Sequence, residues 1–142
     1  LIEVELTEST LMQDSQAVRE VIREIKSLGS SIAIDDFGTG YSSLAYLSRF
    51  AVDKLKIDRS FIVGASANEE DYAIVRMITQ MAHVLNLRAV AEGVETPSQV
   101  ALLRQCGCDV AQGFLFSRPV EPLQFERFVR TPRSQSPYDW YL

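Results

Sequence analysis

The sequence contains little of the chemistry that many functional sites need, with one histidine, two cysteines and one tryptophan in 142 residues. Cys106 and Cys108 lack the further cysteine or histidine ligands that a zinc site requires, so we expect two reduced structural thiols. The single histidine, His83, lies inside a predicted helix, where a packing or surface position is expected. This scarcity argues against zinc chemistry and against catalysis by histidine.

Long hydrophobic runs and excess positive charge are also lacking. No stretch approaches the ~20 apolar residues of a membrane span, and no cleavable signal opens the chain. We therefore expect a cytoplasmic domain, with any membrane anchor in upstream segments of a longer protein. The net charge of -5 gives no basic surface for duplex nucleic acid. A phosphate-bearing ligand would then be held by a metal ion rather than by basic side chains.

Short apolar runs alternate with amphipathic segments along most of the chain. The pattern predicts strands at 1–6, 31–35, 52–58, 88–92 and 110–112 and helices at 15–28, 42–50, 71–86, 98–106 and 123–129. Alternating units with helix-length connections predict an α/β fold with a parallel sheet and about five βα units. Residues 131–142 lack helical periodicity and are predicted to be a loosely held C-terminal tail.

Polar residues end each of the five predicted strands: Glu5, Asp35, Lys56 with Asp58, Glu92 and Gln112. Parallel α/β folds place their chemistry at the carboxyl ends of strands. Period-two alternation sets the charged residues on the same face as Ala33 and Val90, so we expect them to converge inside one ring. Three carboxylates facing a lysine would be unstable without a cation, and the combination indicates a hydrolytic centre.

Two adjacent carboxylates, Asp35 and Asp36, follow an apolar run and precede a glycine-bracketed turn. Two anions this close repel strongly unless one is protonated or a cation lies between them. Mg²⁺ and Mn²⁺ favour oxygen ligands. The pair therefore predicts a site for one of these two ions.

Five motifs, in order and at plausible βα spacing over residues 1–129, closely resemble those of the bacterial EAL domain. They are Glu5-Leu-Thr-Glu8-Ser9, Asp35-Asp36-Phe-Gly-Thr-Gly40-Tyr-Ser-Ser-Leu44, Leu55-Lys56-Ile-Asp58-Arg-Ser-Phe61, Ala91-Glu92-Gly-Val-Glu95-Thr96 and Gly107-Cys-Asp-Val-Ala-Gln112-Gly-Phe114. The resemblance implies a TIM-like (β/α) barrel and a phosphodiesterase that hydrolyses cyclic di-GMP to linear pGpG with Mg²⁺ or Mn²⁺. Residues 1–130 would form the C-terminal part of that domain.

The resemblance also implies roles at the metal and reaction centre. Glu5, Asp35 and Asp36 correspond to metal ligands, with Asp35 placed to bridge two ions.

The catalytic residues that the resemblance implies are Lys56, Glu92, Gln112 and Glu95. Lys56 would orient or activate the attacking water, Glu92 would serve the second metal or proton transfer, and Gln112 would help to hold water and substrate. Glu95 either supports catalysis or is a carboxylate near a helix N-terminus.

Further residues correspond to substrate contacts and to a regulatory loop. The expected substrate-binding residues are Asp58, Gln112 and Pro119, although Asp58 before Arg59-Ser60 could instead cap a turn.

The loop at 36–43 resembles one that couples dimerisation to metal binding. The coupling residues would be Glu8, Phe37, Gly38, Thr39 and Gly40. The apolar residues that follow predict an isologous homodimer contact through Leu44, Tyr46 and Leu47.

The main departure from the family pattern is that the Glu-Ala-Leu signature and an asparagine ligand, both expected from earlier strands, do not occur. A complete barrel typically needs about 250 residues, so we expect the N-terminal strands to be missing and this piece alone to be inactive. Upstream regulatory or cyclase domains are compatible with the full protein. Two functions stay open: a phosphodiesterase in the complete domain, or a non-catalytic EAL-like receptor or dimerisation module.

Overall fold

A computed structural model describes residues 2–12, 16–39, 47 and 49–130. Three predictions concern residues outside this part of the chain. They are those for Gly40, for the tail at 131–142 and for most of the helix at 42–50, including Leu44 and Tyr46. None of the helices in the described part of the chain is long and apolar enough to cross a membrane.

Strands and helices alternate along the described residues. The strands are β1 (Glu3–Thr7), β2 (Ser31–Phe37), β3 (Lys54–Ile57), β4 (Arg88–Ala91) and β5 (Val110–Ala111). The helices are α1 (Glu8–Met12), α2 (Gln16–Ser27), α3 (Arg59–Ala65), α4 (Glu69–Val84), α5 (Pro97–Cys106) and α6 (Pro122–Arg130). All neighbouring strands pair in parallel, in the order β1-β2-β3-β4-β5.

This architecture confirms the predicted α/β class and the partial barrel with its five parallel strands. The pattern missed two short helices, α1 and α3, of five and seven residues. An amphipathic stripe needs more than two turns to show its period, so segments this short carry little periodic signal. Helix α3 matters for the site because it begins two residues after Ile57, the last residue of the strand that bears Lys56.

The two faces of the sheet differ completely in character. Alternate residues of the three central strands are fully buried beneath the helices: Ile32, Ile34, Leu55, Ile57, Ala89 and Ala91. Helix α4 packs on this side through buried apolar residues, including Val75 and Ile78. Because side chains alternate across a strand, the residues between them point to the opposite face, and several of those are charged.

The starts of two helices are set by capping side chains. Asn68 caps α4 by accepting a hydrogen bond from the backbone N–H of Asp71 at 2.7 Å. Thr96 and Gln99 form a reciprocal capping box at the start of α5. Such caps contribute about 1 kcal/mol each. The cap at Thr96 fixes the end of the loop that follows β4, whereas the cap at Asn68 fixes the connection between α3 and α4.

Candidate active site

The charged residues at the carboxyl ends of the strands meet around the side chain of Lys56. Its Nζ lies 2.7 Å from Glu5 Oε1, 2.8 Å from Asp35 Oδ1 and 2.7 Å from Glu92 Oε1. Lys56 itself is buried. The structure thus brings together residues from β1, β2, β3 and the loop after β4, as expected from the alternation of the strands.

Three carboxylates around one ammonium group leave this cluster with surplus negative charge. Burial by itself lowers the pKa of Lys56, but hydrogen bonds to Asp35, Glu5 and Glu92 outweigh it and raise the pKa above its ordinary value. Burial raises the pKa of Glu92, and the charges of Asp35 and Glu5 add to that rise against the opposing effect of Lys56. Lys56 is therefore a fixed cation, and one cation does not neutralise its neighbours.

The backbone at Asp36 explains how two consecutive side chains serve one site. Adjacent residues of a regular strand point to opposite faces, but the pairing of β2 with β3 shifts register between Ile34 and Phe37. Asp36 has a φ of 52°, a left-handed conformation that aspartate tolerates better than most residues. This turn at the end of β2 allows a carboxylate oxygen from each aspartate to reach the same side.

One carboxylate oxygen each from Asp35, Asp36 and Glu92 lie within 4.8 Å of one another. Asp35 Oδ1 is buried, and Lys56 Nζ lies 2.8 Å from it. Because Glu5 and Glu92 share the same ammonium group, the Asp35 carboxylate is only partly neutralised and fits a ligand for a metal ion. The donors present are all hard oxygens and suit Mg²⁺ or Mn²⁺. Glu5 contacts Lys56 but does not belong to this group of three.

A cavity of about 260 Å³ adjoins Glu92. Its lining residues are Arg59, Glu92, Gly93, Glu95, Gln112, Gly113 and Phe114. The backbone N–H of Gln112 donates to the carbonyl of Ala91 at 2.8 Å, which extends the pairing of β4 with β5 and places Gln112 beside Glu92. Gln112 and Glu92 therefore line the same cavity, and a role of Gln112 in holding water or substrate stays a prediction.

Glu95 is held by an interaction that the sequence did not suggest. Its Oε1 lies 2.8 Å from Nη2 of Arg59, and both side chains line the cavity beside Glu92. The N-cap of α5 is Thr96, one residue further along. Neither of the two interpretations of Glu95 anticipated an arginine partner.

Pro119 lies in a second, mostly apolar cleft of about 660 Å³. Gln112, Phe114, Phe116 and Phe125 also line it, and the guanidinium of Arg118 lies 4.7 Å from the centroid of the Phe114 ring. Gln112 and Phe114 line both cavities, so the two spaces share a wall. A flat aromatic ligand group would find apolar and aromatic partners here.

Asp58 acts as the N-cap of α3. Its side chain accepts from the backbone N–H of Ser60 at 3.0 Å and from the Ser60 hydroxyl. That hydroxyl contact is the main reason that the pKa of Asp58 falls below its ordinary value. The structure thus favours the capping interpretation of Asp58, and a contact with substrate stays a prediction.

The predicted coupling residues occupy different environments. Glu8 begins α1, and its Oε2 is buried without a hydrogen-bond partner among the described residues. Phe37 is buried in the core. The hydroxyl of Thr39 donates to the carbonyl of Asp36 at 2.9 Å. Their role in dimerisation stays a prediction.

Gly38 is required by both conformation and space. Its φ is 98°, and a Cβ there would lie 2.9 Å from Cε2 of Phe61. A larger residue would displace the turn that follows Asp36. Gly38 therefore fixes the chain immediately beyond the acidic pair.

Parallel strands, alternating helices and an acidic centre at the carboxyl end of the sheet define the class as a (β/α)-barrel domain. The profile of the EAL domain matches residues 1–119, and the chain belongs to the EAL domain family. The chain is 48% identical over 132 residues to the cyclic di-GMP phosphodiesterase NbdA of Pseudomonas aeruginosa, covering 93% of this chain and 17% of NbdA.

Solved structures agree with this assignment. The cyclic di-GMP complex of the MucR phosphodiesterase is 46% identical, with a TM-score of 0.81 over 87% of this chain and 50% of that chain. In Pseudomonas aeruginosa, MucR is named a bifunctional diguanylate cyclase and cyclic di-GMP phosphodiesterase. The manganese and cyclic di-GMP complex of BlrP1 from Klebsiella pneumoniae is 38% identical, with a TM-score of 0.74 over 82% of this chain and 30% of that chain.

Proposed function

We propose that this chain contributes to a phosphodiesterase that hydrolyses cyclic di-GMP to linear pGpG with Mg²⁺ or Mn²⁺. The observation that carries the proposal is the arrangement of Lys56 among three carboxylates, next to the oxygen donors of Asp35, Asp36 and Glu92. The named activities of NbdA and MucR support it. The chain spans about 17% of NbdA, so the proposal concerns the complete EAL domain.

The proposed substrate needs charge neutralisation that this chain's acidic site does not provide alone. Asp35 and Asp36, together with Glu92 or Glu5, would hold one or two divalent ions. The ions would neutralise a phosphate and polarise one of its oxygens when bound. The manganese complex of BlrP1 supports this choice of metal.

Hydrolysis requires a water oxygen to attack phosphorus while the bond to the leaving 3′ oxygen breaks, because pGpG retains a 5′ phosphate. Lys56 is a buried donor and would orient that water. Glu92, 2.7 Å from Lys56, would accept a proton from the water or bind the second ion. The side chain of Gln112 would hold water or substrate from the neighbouring cavity. The leaving 3′ oxygen takes up a proton, so atoms and charge balance.

The second cleft supports the choice of a nucleotide substrate. Its aromatic and apolar lining, with Pro119 at one side, suits a purine base. Gln112 borders both this cleft and the acidic centre, so base and phosphodiester could be held at once. Homodimerisation through the loop at 36–43 stays a prediction of the sequence.

The test is to incubate the full-length protein with cyclic di-GMP and Mn²⁺ and to quantify pGpG by chromatography. We expect steady formation of pGpG that EDTA abolishes and that Asp35→Asn strongly reduces. Tight binding of cyclic di-GMP with no pGpG would support the receptor function instead. Absence of both binding and turnover would reject the proposal.

A further inference from the structure

The loop that carries Glu92 is covered by Arg59, a residue to which neither the motifs nor the proposed chemistry gives a role. The aliphatic part of Arg59 lies directly against the backbone of Gly93. A Cβ at Gly93 would lie 2.2 Å from Cγ and 2.6 Å from Cδ of Arg59. Gly93 also has a φ of 65°, so both conformation and contact require glycine here.

The tip of the same side chain reaches the far end of the loop. Arg59 Nη2 lies 2.8 Å from Glu95 Oε1. One side chain from the first turn of α3 therefore spans residues 93–95, with its stem on Gly93 and its charge on Glu95.

The loop held in this way positions Glu92. The backbone N–H of Glu92 donates to the carbonyl of Ile57 at 3.2 Å, at the end of the strand that carries Lys56. Further along this loop, the backbone N–H of Val94 donates to the carbonyl of Gln112 at 3.0 Å. Arg59 adds side-chain contacts to the same loop.

We propose that Arg59 is a positioning residue that fixes the loop at 92–95, and through it the Glu92 carboxylate, for binding of a divalent ion and for hydrolysis. The second half of this statement rests on the proposed function. Arg59 does not touch the acidic centre itself in this structure. Its effect passes through the backbone of Gly93 and the carboxylate of Glu95.

A merely structural role would predict something different. The side chains of Arg59 and Glu95 are 58% and 41% exposed, and ion pairs this exposed contribute little to stability. If Arg59 matters, its loss should change the site much more than it changes the unfolding transition. Arg130 and Glu126 form a matched exposed pair at 3.7 Å on α6, which supplies a control far along the chain.

The first experiment measures Mn²⁺ affinity by electron paramagnetic resonance in the full-length protein, without substrate. For Arg59→Ala we expect affinity to fall by about tenfold, the scale seen when a residue supporting a ligand is removed. Arg59→Lys, which keeps stem and charge, should recover most of the loss. Arg59→Met keeps only the stem and should lie between the two, and Arg130→Ala should leave affinity unchanged.

The second experiment separates turnover from substrate binding in the same variants. We expect Arg59→Ala to lower kcat by about tenfold with little change in KM, because a misplaced group slows the reaction step. Gly93→Ala should be similarly harmful alone but should add less in the Arg59→Ala background, where the Cγ and Cδ that it displaces are absent.

The outcomes are distinct. Unchanged Mn²⁺ affinity in both Arg59→Ala and Arg59→Met overturns the positioning role, whatever the kinetics show. A rise in KM alone makes Arg59 a substrate contact and also overturns it. If Arg59→Met lost Mn²⁺ affinity and thermal stability together, Arg59 would be a structural residue and the positioning role would be overturned. If no variant or wild-type protein forms pGpG while Mn²⁺ affinity still falls as expected, only the proposed reaction fails.

Discussion

Two layers of lysine and carboxylate lie on the same face of the sheet, and they differ in charge balance. In the layer at the carboxyl end, Lys56 meets three carboxylates. One step below, Lys54 Nζ lies 2.6 Å from Glu3 Oε2, which also accepts from the Ser31 hydroxyl at 2.7 Å. The lower layer pairs one cation with one anion, whereas the upper layer has two anions in surplus.

The pKa directions follow from this difference. Burial tends to raise the pKa of Glu3, but its hydrogen bonds to Lys54 and Ser31 outweigh burial and lower it. Burial and neighbouring anions raise the pKa of Glu92 despite its contact with Lys56. Matched pairs of this kind stabilise the fold, whereas a surplus of anions leaves a demand for a further cation. The comparison supports the upper layer as the place of the proposed chemistry.

The two layers should differ most when their lysines, Lys56 and Lys54, are replaced in turn and turnover is measured. In the full-length protein, Lys56→Ala should lower turnover of cyclic di-GMP by about a hundredfold or more, the scale for losing a positioned acid–base group. Binding of cyclic di-GMP, measured by calorimetry, should survive.

Lys54→Ala is the matched control, since it removes the same side chain from the same face of β3. We expect its turnover to stay within a few-fold of wild type. Equal losses in both variants would show that the two layers do not differ in function. Normal turnover with weak substrate binding in Lys56→Ala would instead make Lys56 a phosphate clamp.

The acidic groups of the two layers should differ in metal binding. Asp35→Asn should lower Mn²⁺ affinity by about tenfold or more, since even supporting residues of metal sites have effects of that size. Glu3→Gln, in the matched layer, should leave the affinity unchanged. Titration monitored by electron paramagnetic resonance measures both, and an unaffected Asp35→Asn would remove Asp35 from the ligand set.

A third charged pair, Asp53 with Lys26, is expected to affect stability and not turnover. Asp53 Oδ1 and Oδ2 lie 2.6 and 2.7 Å from Lys26 Nζ, and Oδ2 also accepts from the backbone N–H of Ile32 at 2.8 Å. Asp53→Ala should cost about 1–3 kcal/mol of unfolding free energy, because a donor beside the core loses a charged acceptor. Urea denaturation measures this, and turnover should be unchanged.

The contribution of Asp53 to the free energy of unfolding should depend on pH. Hydrogen bonds from Lys26 and Ile32 outweigh burial and lower the pKa of Asp53 below its ordinary value of 3.8. The stabilisation is therefore fully present above pH 3.8 and is lost as pH falls through the lower folded value. The gap in unfolding free energy between wild type and Asp53→Ala should narrow only in that acid range. A constant gap down to pH 3 would contradict this origin.

The smallest effect is expected at the other end of this pair. Lys26→Ala leaves Asp53 its bond from Ile32 and removes only a partly exposed ion pair, with side chains 31% and 35% exposed. Such pairs contribute about 0–1 kcal/mol. Urea denaturation should show a smaller loss than for Asp53→Ala, and 1 M salt should reduce that loss further.

Sequence periodicity predicted all five strands, and the three central ones bury alternate apolar residues under helices, as Ile32 and Ile34 do in β2. It also predicted that Glu5, Asp35, Lys56 and Glu92 would share one face, since side-chain direction in a strand depends only on position. The short helices α1 and α3 escaped because local pattern is weak over so few residues. Boundaries moved by a residue or two for the same reason.

Some features of the site could not be read locally. The contact of Arg59 with Gly93 and Glu95 joins segments more than thirty residues apart, and the backbone turn at Asp36 depends on how β2 pairs with β3. The order of elements, the polar strand ends and the family motifs could be predicted from the chain alone, because these depend on residue type and spacing. Which charges are matched and which are in surplus could be seen only in the folded chain, since that depends on distances between groups on different strands.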